Sequence, residues 1–96
     1  MKFVQIIEYT TTRPDEAQAV VDEFLAATRG KRADARGITA RDRDRPNVYY
    51  NIVEFSSYEA AMKNSEMPET QRMAEQMMKL CDGPPTFRNL DVTFDE

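Results

Sequence analysis

The stretch Val48-Tyr49-Tyr50-Asn51-Ile52-Val53-Glu54-Phe55 decides the fold. It is built almost wholly from β-branched and aromatic residues, which suit a pleated, half-buried surface. At a side-chain period of two, Val48, Tyr50, Ile52 and Glu54 share one face, and Tyr49, Asn51, Val53 and Phe55 share the other. Upstream, Pro46-Asn47 is a turn signal. Before it, Arg36 to Arg45 alternates charge at period two, with Arg41, Arg43 and Arg45 on one side and Asp42 and Asp44 on the other. That pattern predicts an extended segment. Downstream, Ser56-Ser57-Tyr58-Glu59 reads as a capping box with Ser56 at the cap, opening a short helix to about Asn64. Pro68 interrupts it, and a second helical segment follows over Thr70 to Cys81. Asp82-Gly83-Pro84-Pro85 ends that segment.

The flanks complete the pattern. Lys2 to Tyr9 predicts a strand, with Val4 and Ile6 on one face and Phe3, Gln5, Ile7 and Tyr9 on the other. Both faces are largely apolar, so that strand should be covered on both sides. Thr10 to Glu16 reads as a helix start, with a capping threonine, Pro14 in the first turn and two acids near the positive helix end. Ala17, Val20, Val21, Phe24, Leu25 and Thr28 continue at helical spacing, and Gly30 is a stop. Thr86 to Phe94 is the last strand. The order β-α-β-β-α-β in one domain spanning 1–96 predicts a ferredoxin-like α+β fold: a four-stranded antiparallel sheet with two helices on one face. The other face is then bare. The expectation is that it carries Phe3, Ile7, Tyr49, Val53 and Phe55, that Glu8 and Glu54 lie under the helices, and that the bare faces of two copies pack together as a homodimer.

Composition narrows the classes. The 96 residues carry 13 Lys+Arg against 17 Asp+Glu, a net charge of -4, which argues against nucleic acid as a partner. No apolar run approaches the ~18 residues of a membrane span. Met1-Lys2-Phe3-Val4-Gln5 breaks its apolar run with a polar residue and has no cleavage-like site, so no secretory leader is expected. One cysteine, Cys81, precludes an internal disulfide and fits a cytoplasmic location. There is no histidine, the commonest metal ligand and general base, so no metal site and no Ser-His-Asp triad are expected. Gly30, Gly37 and Gly83 form no phosphate-binding fingerprint.

The strand Asn47 to Phe55, leading into Ser57-Tyr58-Glu59-Ala60-Ala61-Met62 and Asn64-Ser65-Glu66-Met67-Pro68-Glu69-Thr70, resembles the dimeric α/β-barrel superfamily, in its antibiotic biosynthesis monooxygenase-like branch. The closing Leu80-Cys81-Asp82-Gly83-Pro84-Pro85-Thr86-Phe87-Arg88-Asn89-Leu90-Asp91-Val92 is similar to small actinobacterial members of that branch. The resemblance covers essentially the whole chain. It implies a dimeric barrel, a pocket between sheet and helices or inside the barrel, and cofactor-independent oxygenation of aromatic or polyketide-like compounds. The superfamily hosts many activities, so the alternative is a non-catalytic dimeric binding or accessory protein. Haem-degrading relatives carry a tryptophan and a ligating histidine at positions that fall here on Met62 and Arg72. The missing histidine excludes that form of haem ligation. Quinone-forming relatives use Asn, Trp, Tyr and Arg, and this chain has no Trp.

Four residues are the candidates for positioning substrate and handling protons: Tyr49, Asn51, Asn64 and Arg72. Tyr49 and Asn51 offer donors and acceptors on one strand face, where they either orient a phenolic ligand or satisfy each other across a dimer. Arg72 either fixes a carboxylate or phenolate or pairs with Glu69 or Glu75. Candidate lining residues of the substrate pocket are Gln5, Ile7, Tyr9, Val53, Phe55, Met62 and Met73, and a small aromatic ligand is expected there without a cofactor. Met62, Met67, Met73, Met77 and Met78 are either core filling or an adaptable pocket wall. The segment 29–45 holds Arg29, Lys31, Arg32, Arg36, Arg41, Arg43 and Arg45 against Asp34, Asp42 and Asp44. It either attracts an anion or forms cross-strand ion pairs. Cys81, at the negative end of a helix, reads as a small core residue.

Overall fold

The structure is a computed structural model that describes residues 1–32 and 35–96; Asp34 of the basic segment lies outside the described residues. The elements run β1 (Phe3–Thr10), α1 (Pro14–Ala27), β2 (Arg36–Arg41), β3 (Val48–Phe55), α2 (Tyr58–Glu66), α3 (Pro68–Leu80) and β4 (Thr86–Asp91). The four strands form one antiparallel sheet in the order β2-β3-β1-β4, the ferredoxin-like arrangement. The helical layer is α1 against a second helix broken in two. Pro68 forces Met67 out of helical geometry, to φ -66 and ψ 137, so α2 ends and α3 restarts one residue later.

Several boundaries differ from expectation for local reasons. The cap of α2 is Ser57, whose hydroxyl accepts the Ala60 amide at 3.1 Å, one residue beyond the expected Ser56. No threonine caps α1. Thr11 instead ties three elements together: its hydroxyl donates to the Leu80 carbonyl at 2.6 Å and accepts the Arg13 amide at 3.0 Å. β2 stops at Arg41, because the Asp42 carboxylate accepts the amides of Asp44 and Arg45 and folds the chain into a turn. β4 stops at Asp91.

The main correction concerns which sheet face the helices cover. Phe3 and Phe55, opposite each other in register, are each 3% exposed and cluster with Ala61 of α2. The Phe3 ring meets Tyr58 of α2 edge to face at 5.4 Å. Phe3, Gln5, Ile7, Tyr9, Tyr49, Asn51, Val53 and Phe55 therefore face the helices, not solvent. The bare face carries Val4 and Ile6 of β1, Ile52 of β3, Ile38 of β2 and Leu90 of β4. Ile38 is 54% and Leu90 44% exposed. Glu8 and Glu54 lie on this bare face as well. Glu8 reaches Arg88 at 3.3 Å and Arg45 at 3.4 Å, and Glu54 reaches Lys2 at 3.2 Å. Period-two patterning sorts residues into two faces but does not say which is inside when both are apolar. Ring size accounts for the choice: the Phe3 and Phe55 rings fill the gap beneath α2, against Ala61 and Tyr58, better than valine and isoleucine would.

Candidate functional site

The sites lie between sheet and helices, where the packing is uneven. α1 and α3 pack on each other, and α2 on β3. Yet α3 has no fully buried residue, and its inward Met73 and Met77 are only half-buried. Its Thr70 hydroxyl is shielded from solvent and has no hydrogen-bond partner among the described residues. A buried hydroxyl without a partner is costly, about 1–3 kcal/mol, and its commonest remedy is a water or ligand.

Beneath this layer the sheet presents a polar strip. Tyr9 and Tyr49, a cross-strand pair, stack at 5.9 Å with 21° between planes. Asn51 Oδ1 accepts two hydroxyls, Thr39 Oγ1 at 3.0 Å and Tyr9 at a long 3.4 Å. The Asn51 amide nitrogen bonds nothing among the described residues, so a donor is left open toward the helix side. Further along the sheet, Gln5 donates to Asn89 at 3.1 Å. Burial pushes the Tyr9 phenol up to about 12, with the neighbouring Cys81 and Tyr49 adding to the shift. At neutral pH Tyr9 is therefore a proton donor and not a base. Cys81 is also raised, by burial first and Asp82 second, so it stays a thiol.

At the other end of the same sheet face, a half-open cavity of about 330 Å³ lies between Phe55, α2 and the segment that follows α1. Gly30, at φ 80, makes the turn that delivers this segment, and the Lys31 amide bonds the Thr28 carbonyl at 2.9 Å across it. Phe55, Ala35, Ala60 and Met67 give the cavity apolar walls. Lys31, Arg32, Lys63 and Asn64 give it polar ones. A smaller cleft of about 60 Å³ separates α1 from α3 and is lined by Phe24, Arg72 and Met73 among others.

The four candidate catalytic residues are thus distributed over three places. Tyr49 and Asn51 share the strip with Tyr9, Asn64 lines the cavity, and Arg72 stands exposed at the small cleft. Of the expected lining residues, Phe55 borders the cavity and Met73 the cleft. Gln5, Ile7, Tyr9 and Val53 lie along the helix-facing sheet, and Met62 packs on the Phe3–Phe55–Ala61 cluster. Arg72 has no ion-pair partner among the described residues, and Glu69 instead binds Lys31 at 2.6 Å. Sequence reasoning missed Thr39, Asn89, Thr70 and the placement of Arg32, which lines the cavity and donates to Asn64. Thr39 and Asn89 become neighbours of Asn51 and Gln5 only once the strand register is known. Among the described residues no group of three or more Cys, Asp or Glu could hold a metal ion.

No family model and no curated protein matches the chain. Solved structures do match it closely in fold. A protein described as a putative antibiotic biosynthesis monooxygenase from Caulobacter crescentus superposes with a TM-score of 0.85 at 14% identity, covering 97% of this chain and 91% of that one. SnoaB, a cofactor-independent oxygenase from Streptomyces nogalater, superposes at 0.81 with 19% identity, covering 98% and 95%. A Mycobacterium tuberculosis protein superposes at 0.78 with 19% identity, covering 100% and 98%. The chain has the ferredoxin-like βαββαβ fold of the antibiotic biosynthesis monooxygenase structures, over nearly its full length.

Proposed function

We propose that this chain is a single-domain, homodimeric cytoplasmic protein that binds a small aromatic or polyketide-like molecule and oxygenates it without a cofactor. The observation that carries the reading is the half-open cavity of about 330 Å³ between sheet and helices, at the lower end of the range for small-molecule sites and part apolar, part polar. Fold neighbours such as SnoaB, described as a cofactor-independent oxygenase, support the reaction class. In such a reaction the substrate supplies the electrons. A phenol-activated CH₂ loses a proton, the carbanion passes an electron to O₂, and the radical pair combines to a peroxide. Loss of water then leaves a carbonyl, so one oxygen atom enters the product and the other leaves as H₂O. The protein's part is to hold the phenolate and to donate to developing oxygen charge. Tyr9 and the open amide of Asn51 are the donors at hand on the strip, and Asn64 in the cavity.

One observation favours the second reading, a non-catalytic binding or accessory protein: the candidate catalytic side chains do not converge on one point. Oxygen uptake with 1,8-dihydroxyanthrone, followed by mass analysis of the product, separates the two. Protein-dependent O₂ consumption with a mass gain of 14 supports oxygenation, because CH₂ becomes C=O. Binding without O₂ consumption moves the assignment to the accessory reading, and absence of binding to this and related phenols removes both.

A further inference from the structure

We propose that the cavity selects a carboxylic acid with an apolar ring body, and that Arg32 is its anion anchor. This rests on the reading that the cavity takes a small molecule. Arg32 is held from two sides: its Nε donates to Asn64 Oδ1 at 2.9 Å, and its guanidinium carbon lies 4.9 Å from the centroid of the Phe24 ring. These contacts fix the plane of the group and use only the Nε edge, leaving both Nη nitrogens without a hydrogen-bond partner among the described residues. No carboxylate lies within ion-pair distance of Arg32 among the described residues, although it is only half exposed. Burial lowers its proton affinity from the ordinary arginine value while leaving it charged at any physiological pH.

A partly desolvated, oriented guanidinium with no carboxylate partner among the described residues is an uncommon arrangement, because its charge would be better matched by an anion. The two free Nη groups present parallel N–H donors at the spacing of carboxylate oxygens. Lys63 adds a second cation on the cavity wall without an ion-pair partner among the described residues, whereas Lys31 is engaged by Glu69 at 2.6 Å. Among the described residues, no acidic one lines the cavity. The apolar part of the lining, Phe55, Ala35, Ala60 and Met67, calls for an apolar body and not a bare anion. Asn64 in this arrangement is a positioning residue, acting through Arg32.

The test is calorimetric titration of the intact protein with 2-naphthoate, its neutral isostere 2-naphthamide, and inorganic phosphate. The expected result is that 2-naphthoate binds at least tenfold more tightly than 2-naphthamide, that phosphate binds more weakly than either, and that Arg32→Met, which keeps the apolar stem, weakens naphthoate at least tenfold while leaving naphthamide unchanged. Asn64→Ala should weaken naphthoate less, and Asn64→Asp, which supplies a competing carboxylate to Arg32, more. Equal binding of acid and amide to the unaltered protein overturns the carboxylate selection while the small-molecule reading stands, and needs no variant to fold. Phosphate binding as tightly as naphthoate overturns the apolar-body assignment. Failure of both naphthyl compounds to bind overturns the inference and the cavity reading together.

Discussion

At the scale of single residues, the side chain with the most structural consequence for its size is Thr11. It is fully buried, and its hydroxyl joins the end of β1, the start of α1 and the last carbonyl of α3. Thr11→Val keeps the shape and removes both hydrogen bonds, stranding the Leu80 carbonyl and the Arg13 amide. The expected loss is about 1–3 kcal/mol in denaturant unfolding. A change below about 0.5 kcal/mol, the range of ordinary surface substitutions, would show that water replaces the hydroxyl. Asp42 is a second case, legible through pH. Its carboxylate accepts the Tyr50 hydroxyl at 2.6 Å, then the Asp44 and Arg45 amides and the Arg45 side chain, which together hold it down to about 2. A folded-state value below the unfolded one means its stabilisation is complete above about pH 4, the unfolded value, and is lost as pH falls toward 2. Asp42→Asn should therefore flatten the acid limb of the stability curve between those values. An unchanged limb would remove Asp42 as its origin.

At the scale of elements, caps and breaks decide where helices begin, and these are where sequence reading slipped by a residue. Ser57→Ala should cost about 1 kcal/mol through loss of the N-cap bond to Ala60, whereas Ser56→Ala, at an exposed position, should stay within about 0.5 kcal/mol. The reverse ranking by thermal melting would restore Ser56 as the cap. Two adjacent serines leave the capping frame open, because Glu59 suits a box counted from Ser56 while the backbone places the cap one residue on. Strand β3, by contrast, was legible to the residue, since eight consecutive β-formers between a turn and a cap admit one reading. The interruption at Pro68 was legible too, because a proline's demand on its neighbour is local. The candidate site was less so. Its members come from β1, β2, β3, α2 and the segment after α1, and their meeting depends on register and on the covered face, which are properties of pairing and not of any one stretch. Arg32 stood out in sequence only as one of seven basic residues; what distinguishes it, the Phe24 ring and Asn64, lies eight and thirty-two positions away.

At the scale of the whole molecule, the chain is under-buried on its own. Among the described residues the apolar ones below a tenth exposed are Phe3, Tyr9, Ala17, Phe24, Val48, Phe55 and Ala61, a small core for a chain of 96, and α3 contributes none. The bare sheet face meanwhile carries an unbroken row, Ile38–Ile52–Ile6, crossing three strands and ending at Arg88 on the fourth. Charged pairs border it: Lys2 with Glu54 on one side, Glu8 with Arg45 and Arg88 on the other. An apolar row with a polar rim has the composition of a protein interface, and a two-fold axis through it would set the same row against itself. The proposed homodimer thus makes neighbouring substitutions on β3 behave differently. Ile52→Glu places a charge in the row and should give a folded monomer by analytical ultracentrifugation at micromolar concentration, with little change in its circular dichroism. Val53→Glu, one residue on, points to the helix side beside the Phe3–Phe55–Ala61 cluster. It should destabilise the fold itself by several kcal/mol, since a carboxylate there is desolvated without a partner. A persistent Ile52→Glu dimer would move the interface off this face, and a folded Val53→Glu monomer would return the interface to the helix-facing side of the sheet.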